Sequence, residues 1–385
     1  MKTVLLRGPS LTQSGYGVHA RQLAKWLLSR PDLDVKFGTL PWGDTPWLID
    51  AELHGGLVGQ IMQRSVPFDT KADVTVQLQL PNEWDPTLAP INIGITAGVE
   101  TDRCNPEWVA ACNKMTAVVV PSQHTKACLT NSGTVTRPLY VIPEAYSTAI
   151  SEPPIDLALD FDTPFNFLVF GQLTGANAES DRKNIFYTIK WLCETFKDDA
   201  EVGIILKTNV GKNSLIDRGL TKNLLTGVIN ESRRGNKFPK AYLLHGDMTD
   251  GEVAALYKHP KVKALVTLTR GEGYGLPILE AAASGLPVIA TGWSGHLDFM
   301  KHGKYVSIYY QLAEVHASRI DNKIFVKGAR WANASEEDVK KRVLKFRQSP
   351  TIPKQWATEL APVLLEKYSL SAICKQYDAA LKEYI

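Results

Sequence analysis

Cysteine is scarce in this 385-residue sequence: only Cys104, Cys112, Cys128, Cys193 and Cys374 are present, with no Cys-x-x-Cys pair and no His/Cys grouping at zinc spacing. A disulfide scaffold and a zinc module are thereby excluded, and the five residues read as buried thiols in a reducing cytosol. A long uncharged apolar run is also missing, as is a signal-peptide cleavage pattern after Met1-Lys2-Thr3-Val4-Leu5-Leu6-Arg7. The expectation is a soluble cytoplasmic protein without a transmembrane segment. Charge of one sign is not in excess either, because 43 Lys and Arg face 40 Asp and Glu for a net charge of +3. That balance implies no partner, so any electrostatic argument must be local. No internal repeat or low-complexity tract appears.

What is present is a length that exceeds one ordinary core, together with 44% hydrophobic and 22% charged residues. Two soluble domains follow. Short apolar runs alternate with helix-length amphipathic segments, the pattern of parallel α/β units. Strands are expected at Val4 to Leu6, Val74 to Leu80, Ile91 to Ile95, Val118 to Val120 and Tyr140 to Ile142 in the first half. In the second they are expected at Phe167 to Phe170, Gly203 to Leu206, Tyr242 to Leu244, Ala264 to Leu268 and Val288 to Ala290. The Pro- and acid-rich stretch between them reads as a linker. The expected division is 1–150, a linker over 151–164, 165–365, and a terminal helical segment over 366–385.

The most informative stretch is Arg270-Gly271-Glu272-Gly273-Tyr274-Gly275-Leu276-Pro277-Ile278-Leu279-Glu280. Pro277 suits the first position of a helix, Ala281 to Ala283 its body, Gly285 a left-handed cap, and Pro287 forbids continuation. Glu272 is then expected on the loop and Glu280 on the first turn. Loop glycines admit a ligand close to backbone N–H groups and the helix start is electropositive, a combination suited to phosphate. Carboxylates beside it would receive hydroxyls. A ligand with a diphosphate and many hydroxyls is a nucleotide sugar.

Two glutamates with seven residues between them, inside Gly-Glu-Gly-Tyr-Gly-Leu-Pro and followed by Ala-Ser-Gly-Leu-Pro-Val-Ile-Ala-Thr, resemble the donor site of retaining family 4 glycosyltransferases. The resemblance implies the GT-B fold, two doubly wound Rossmann-like domains facing an interdomain cleft, with the final helix crossing back to the first domain. It extends to Phe170-Gly171-Gln172-Leu173 and Asp181-Arg182-Lys183-Asn184, which resemble the family's diphosphate-binding segment. Many members carry arginine where this chain has Gln172. It extends further to Gly98-Val99-Glu100-Thr101-Asp102, Trp108, Val120-Pro121-Ser122-Gln123 and Gly292 through Phe299. The overall phrasing also resembles glycosyltransferases carried by tailed bacteriophages, some of which sugar-modify hydroxymethylated DNA bases; a phage-encoded protein would act in the host cytoplasm.

Site roles follow from that resemblance. Glu280 is expected to hold the ribose hydroxyls, and Glu272 with the Gly273, Tyr274, Gly275 and Leu276 backbone to position the transferred sugar. Lys183 and Lys207, beside Arg182, would stabilise the diphosphate as charge accumulates on it. Gly15, Tyr16 and Gly17 open a helix after the first strand and would face the donor. Gly15-x-Gly17 lacks the third glycine of the dinucleotide fingerprint, so a nicotinamide cofactor is disfavoured. Gly211-Lys212-Asn213-Ser214 resembles a P-loop ending, but Leu206 stands where its first glycine is required. No cofactor and no metal is expected, and the Asp-x-Asp pairs at Asp32 to Asp34 and Asp160 to Asp162 read as solvated acids. On the acceptor side the candidates are Glu100, His19 and His124.

The acceptor expected from the resemblance is a carbohydrate or glycoconjugate hydroxyl, with a hydroxymethylated base in DNA as the alternative. Lys207, Lys212, Arg218, Lys222, Arg233, Arg234, Lys237 and Lys240 face only Asp217 and Glu231 within the same interval, which would suit a phosphate backbone or a solvated face. A GT-B nucleotide-sugar epimerase is a further alternative, converting the donor without an acceptor.

Overall fold

A computed structural model describes residues 1–385. The chain divides into two compact units, one made of Met1–Ala145, Asp321–Ala329 and Leu370–Ile385 and the other of Tyr146–Ile320 and Arg330–Ser369. The first unit holds β1 (Lys2–Gly8), α1 (Gly15–Leu28), β2 (Leu33–Thr39), α2 (Leu57–Gln63), β3 (Val74–Leu78), β4 (Ile91–Ile95), α3 (Pro106–Cys112), β5 (Ala117–Val120), α4 (Gln123–Ser132) and β6 (Leu139–Val141). The second runs β7 (Phe165–Phe170), α5 (Ile185–Thr195), β8 (Val202–Lys207), α6 (Leu215–Arg233), β9 (Lys240–Leu244), α7 (Asp250–Lys258), β10 (Val262–Thr267), α8 (Leu276–Ala283) and β11 (Val288–Thr291). It continues through α9 (Leu297–Met300), β12 (Val306–Ile308), the hairpin strands β13 (Tyr310–Glu314) and β14 (Arg330–Ala334), α10 (Glu336–Gln348) and α11 (Thr351–Lys367). Helix α12 (Leu370–Leu381) returns to the first unit.

Each unit is built on a parallel six-stranded sheet, ordered β2-β1-β3-β4-β5-β6 in the first and β12-β11-β10-β7-β8-β9 in the second. Inner strands are buried on both faces, as in Ala117–Val120, where every residue is apolar and buried, and in Val74–Leu78, where the buried Thr75 and Gln77 hydrogen-bond each other. Helix α1 follows its sequence period, burying Ala20, Leu23, Ala24 and Leu27, and it begins where the Ser14 side chain accepts a hydrogen bond from the Gly17 N–H. In both sheets the strand order reverses once. The chain leaves β1 towards β2 and β3 towards β4 in opposite directions, and likewise leaves β7 towards β8 and β10 towards β11. Ligands of open α/β sheets sit beyond the carboxyl ends of the strands at such a reversal. Residues 9–14 and 79–90 therefore mark the place in the first unit, and 171–184 and 268–275 in the second.

The division differs from the expected one. Residues 146–163 group with the second unit, because Lys258 Nζ donates to the carbonyls of Ile150 (2.7 Å) and Glu152 (2.8 Å), and Tyr242 Oη accepts from the Thr163 N–H (3.2 Å). Asp160 and Asp162 are exposed yet paired, with Lys261 and Lys240. The segment Asp321–Ala329 groups with the first unit, where the Asn322 carbonyl accepts from Asn105 Nδ2 at 2.9 Å. Four cysteines are buried, but Cys374 is half-exposed. No helix is long and apolar enough to cross a membrane.

Candidate active site

The reversal in the second sheet brings two loops together. The Arg270 N–H donates to the Arg182 carbonyl (2.8 Å) and Asn184 Nδ2 to the Leu268 carbonyl (3.0 Å), so the loop after β7 is stitched to the loop after β10. Asp181 organises the first loop: it accepts from Thr174 Oγ1 (2.7 Å) and from the Ile185 N–H (2.7 Å), while Thr174 Oγ1 accepts from the Arg182 N–H (2.9 Å). Arg270 is buried and braces the same loop through the carbonyls of Asp181 and Ala178, with its guanidinium over the Trp331 ring. It is a structural cation.

This scaffold aims Arg182 and Lys183 at Glu272. Lys183 Nζ donates to both carboxylate oxygens of Glu272, at 2.7 and 2.9 Å, and Arg182 Nη1 lies 3.5 Å from Oε2 while donating to the Gly271 carbonyl at 2.7 Å. Burial alone would raise the Glu272 carboxyl, but the charges of Lys183 and Arg182 outweigh it and draw the group down to about 2. Glu272 is thus a carboxylate at neutral pH, and the trio carries one net positive charge. Behind it, Ser294 Oγ accepts from the Glu272 N–H (2.9 Å) and stands 3.4 Å from His296 Nδ1, whose Nε2 donates to the Thr291 carbonyl (2.8 Å). Ser294 adopts a left-handed backbone (φ 95°), and a Cβ on Gly295 would fall 2.2 Å from the Gly273 carbonyl oxygen. The loop is held shut by a residue in a costly conformation and by a glycine no other residue replaces.

Helix α8 starts at Leu276 with Gly275 in the left-handed region (φ 102°), and no side chain caps it. Pro277 is its second residue and Glu280 its fifth, so Glu280 lies one residue deeper than expected and opens the second turn. It accepts from the Ser147 N–H at 3.2 Å, and burial lifts its carboxyl to about 7. Two hydroxyls near it, those of Tyr257 and Ser147, are buried and without a hydrogen-bond partner, and the charge of Glu280 helps raise the buried Tyr257 phenol. Buried hydroxyls are normally satisfied, so a polar ligand group beside Glu280 would find ready partners. Tyr257 leans on Phe170 at 6.0 Å between ring centroids; Phe170 pairs with Lys207 across β7 and β8. The Lys183 chain packs over Gly171, where a Cβ would meet its Cδ at 3.5 Å. A series of neighbours therefore runs from Tyr257 through Phe170 and Gly171 to Lys183 and Glu272, and the charge of Glu280 acts on the Tyr257 end of it. Lys207 lies beside it, its ammonium donating to the Gly246 carbonyl and its affinity for a proton lowered by burial. Gln172 turns away to the Val210 carbonyl (3.2 Å).

Tyr274 and Leu276 divide in their roles: the Tyr274 ring is buried edge-on against Phe299, and only the backbone of Gly273 to Leu276 follows the loop. In the first unit, Gly15 has open space around it, whereas a Cβ on Gly17 would fall 2.1 Å from the Thr12 carbonyl oxygen. Gly17 is required by packing. Tyr16 stacks on Trp42 (3.9 Å, 19°), and its hydroxyl meets Thr96 Oγ1 (3.1 Å) and accepts from the Ala97 N–H (3.0 Å). His19 is buried between Tyr377 Oη (3.0 Å) and Glu144 (3.8 Å), and burial lowers its pKa to about 3. It is neutral and belongs to the packing of α12. Glu100 lies half-buried on the loop after β4, and His124 half-buried in the first turn of α4. No cluster of three or more His, Cys, Asp or Glu side chains is placed to hold a metal. Ser294, His296, Tyr257 and Ser147 were not anticipated as site residues: Ser294 and His296 lie in the Gly292–Phe299 phrase, which gave the resemblance without a role for either, whereas Tyr257 and Ser147 meet the site only through the fold and carry no sequence signal.

Known proteins bear on this geometry in three ways. Residues 237–324 match the family model described as glycosyl transferases group 1, a segment that includes Glu272 and Glu280. No curated protein matches the sequence. Among solved structures, sucrose-phosphate synthase from Thermosynechococcus elongatus superposes with a TM-score of 0.66 at 13% identity, covering 100% of this chain and 99% of that one. Anabaena HepE, in complex with UDP and glucose, gives 0.62 at 12% identity with 100% of both chains covered. TarM gives 0.54 at 15% identity over 81% of this chain, which spans 55% of that protein's length. The chain has the GT-B fold of these glycosyltransferases, and its segment 237–324 is similar to glycosyl transferases group 1.

Proposed function

We propose that the protein is a retaining glycosyltransferase that moves a sugar from a nucleoside-diphosphate sugar to an acceptor hydroxyl. The observation that carries this reading is the pairing, beside one strand-order reversal, of a cationic cluster with a group of side chains that can hydrogen-bond hydroxyls. Arg182 and Lys183 surround Glu272 at one end, and Glu280 with the unpartnered Tyr257 and Ser147 hydroxyls lies at the other. A diphosphate matches the first and a ribose diol the second. The net positive charge of the Arg182–Lys183–Glu272 trio, with Lys207 and the start of α8, stabilises the leaving diphosphate as its charge grows. Glu272, held ionised and fixed by Lys183, accepts hydroxyls of the transferred sugar. Retention without an enzyme nucleophile is compatible with a front-face reaction in which the leaving phosphate oxygen helps remove the acceptor proton. Five free cysteines, four of them buried, suit the reducing cytoplasm.

Mass spectrometry of products from a panel of nucleotide sugars, with glycan and hydroxymethylated-DNA acceptors in parallel, identifies the reaction. Because cationic side chains are proposed to neutralise the diphosphate, activity is expected to survive exhaustive EDTA treatment, whereas Lys183→Ala lowers kcat/KM by at least about 100-fold, the loss typical of a missing transition-state donor. Loss of activity with EDTA, restored by manganese or magnesium, would overturn the electrostatic assignment. Conversion of the donor without transfer would replace the proposal with an epimerase.

A further inference from the structure

The strand-order reversal of the first unit carries an arrangement that the Glu272 and Glu280 chemistry does not use, and it gives Tyr16 a part other than the donor-facing one expected from sequence. After β2 the chain crosses the loop that follows β1. The Leu48 N–H donates to the Leu11 carbonyl (2.7 Å), the Gln13 N–H to the Pro46 carbonyl (2.9 Å), and Thr12 forms an antiparallel bridge with Trp47. This two-stranded support presents aromatic surface. The Trp47 side chain is 44% exposed and Ile49 82%. Trp42 is half-buried and stacked on Tyr16, whose hydroxyl is tied to the 96–97 backbone and Thr96. Large rings held in place by backbone pairing and stacking lose little freedom when they bind a partner.

The local charge narrows what that partner is. Between Leu40 and Gly56 there is no Lys or Arg, while Asp44, Asp50 and Glu52 are present. The Arg21 guanidinium, which donates to the Ser10 and Thr12 carbonyls, is buried, so a polyanion would meet these acids and no exposed cation of the segment. A neutral pyranose fits: its C–H face covers an indole, and its hydroxyls donate to carboxylates and backbone carbonyls. We propose that Trp47 and the Tyr16–Trp42 stack form the acceptor subsite, and that the acceptor is a neutral saccharide bound through a sugar face on Trp47. This rests on the glycosyltransferase reading for its purpose, though not for its physical test.

The test uses the full chain labelled with 15N at its indoles, with the Trp42 and Trp47 signals assigned from Trp42→Phe and Trp47→Phe. The probes are methyl glycosides of glucose, galactose, mannose and N-acetylglucosamine, then maltose and cellobiose, and separately a duplex containing 5-hydroxymethylcytosine. At least one saccharide is expected to shift both indole signals saturably. Trp47→Ala should weaken that saccharide's binding at least about tenfold, Trp47→Phe should largely restore it, and the thermal midpoint of both variants should stay within about 2 °C of the parent, as for an exposed side chain. No saccharide-induced shift, a shift that persists at full affinity in Trp47→Ala, or a response to the duplex alone would overturn the proposal. If Trp47 responds to a saccharide but no nucleotide sugar is turned over, the glycosyltransferase reading fails and the subsite stands.

Discussion

Glu272 and Glu280 share a loop-and-helix phrase, yet their surroundings push their carboxyls in opposite directions. Glu272, drawn down to about 2 by Lys183 and Arg182 against the effect of burial, adds stability that is present above its unfolded value of 4.5 and lost as pH falls towards 2. Glu280, lifted to about 7 by burial, does the reverse: its contribution is present below 4.5 and lost as pH rises through 7. Glu272→Gln should therefore be less stable than the parent at pH 7 and converge with it in acid. Glu280→Gln should match the parent near pH 4.5 and be the more stable of the two at pH 8. Thermal unfolding across pH reads both, and a Glu280→Gln variant that loses stability at pH 8 would remove the desolvation argument. Binding has its own sign. The Glu280 carboxylate accepts ribose hydroxyls better than the neutral acid, so nucleotide affinity should rise with pH through about 7 and lose that slope in Glu280→Gln. Removing the group in Glu280→Ala should weaken the nucleotide by about ten- to a hundredfold, since a hydrogen bond to a charged group contributes roughly 1.5 to 3 kcal/mol. Calorimetry with the preferred nucleotide measures it.

At the scale of elements, what was legible in the sequence was what short-range pattern determines. Ile91–Ile95 was readable to the residue because a largely apolar run lies between a Pro-rich turn and polar positions, and the terminal helix was readable in kind, though not in its bounds of Leu370–Leu381, because its apolar face repeats at helical spacing. Strand β2 was missed because Leu33-Asp34-Val35-Lys36-Phe37 alternates polar residues into an edge strand, and β12 because three residues carry no period. Glu280 moved to the second turn because Gly275 bends left-handed one residue before Leu276 starts the helix, a backbone choice that glycine permits without announcing. The two glycines that open α1 show the same limit. They look equivalent in sequence, but only Gly17 is pressed against the Thr12 carbonyl; Gly15 faces open space. Gly17→Ala should destabilise the protein by about 1 to 3 kcal/mol through overpacking, while Gly15→Ala should stay within roughly 0.5 kcal/mol. Chemical denaturation ranks them, and the opposite order would mean that Gly15 is the one packing requires.

For the molecule as a whole, the net charge of +3 conceals how its basic residues are spread. The interval from Lys207 to Lys240 was dense enough in sequence to suggest a polyanion, but the fold disperses it. Lys207 is turned to the Gly246 carbonyl, Arg233 to the Pro239 carbonyl and Lys240 to Asp162. The exposed remainder sits at the two ends of α6, with Lys212, Arg218 and Lys222 at its start and Arg234 and Lys237 past its end. About 11 residues of helix separate Lys222 from that second end, or roughly 16 Å at 1.5 Å per residue, about twice the screening length of about 8 Å at physiological salt. Beside the first group lie Leu215, Ile216 and Leu220, exposed by 82%, 78% and 59%, which a phosphate backbone would not wet favourably. Either group alone can meet two or three phosphates. With about 0.9 counterion released per phosphate on a duplex, log affinity should fall against log salt with a slope no steeper than about −3. Replacing Arg233, Arg234 and Lys237 with glutamine should change that slope by no more than about 2. Duplex binding measured from low to physiological salt decides the matter: a slope of about −6 or steeper, abolished by the triple substitution, would show that the interval tracks a nucleic-acid backbone and would favour the alternative DNA acceptor.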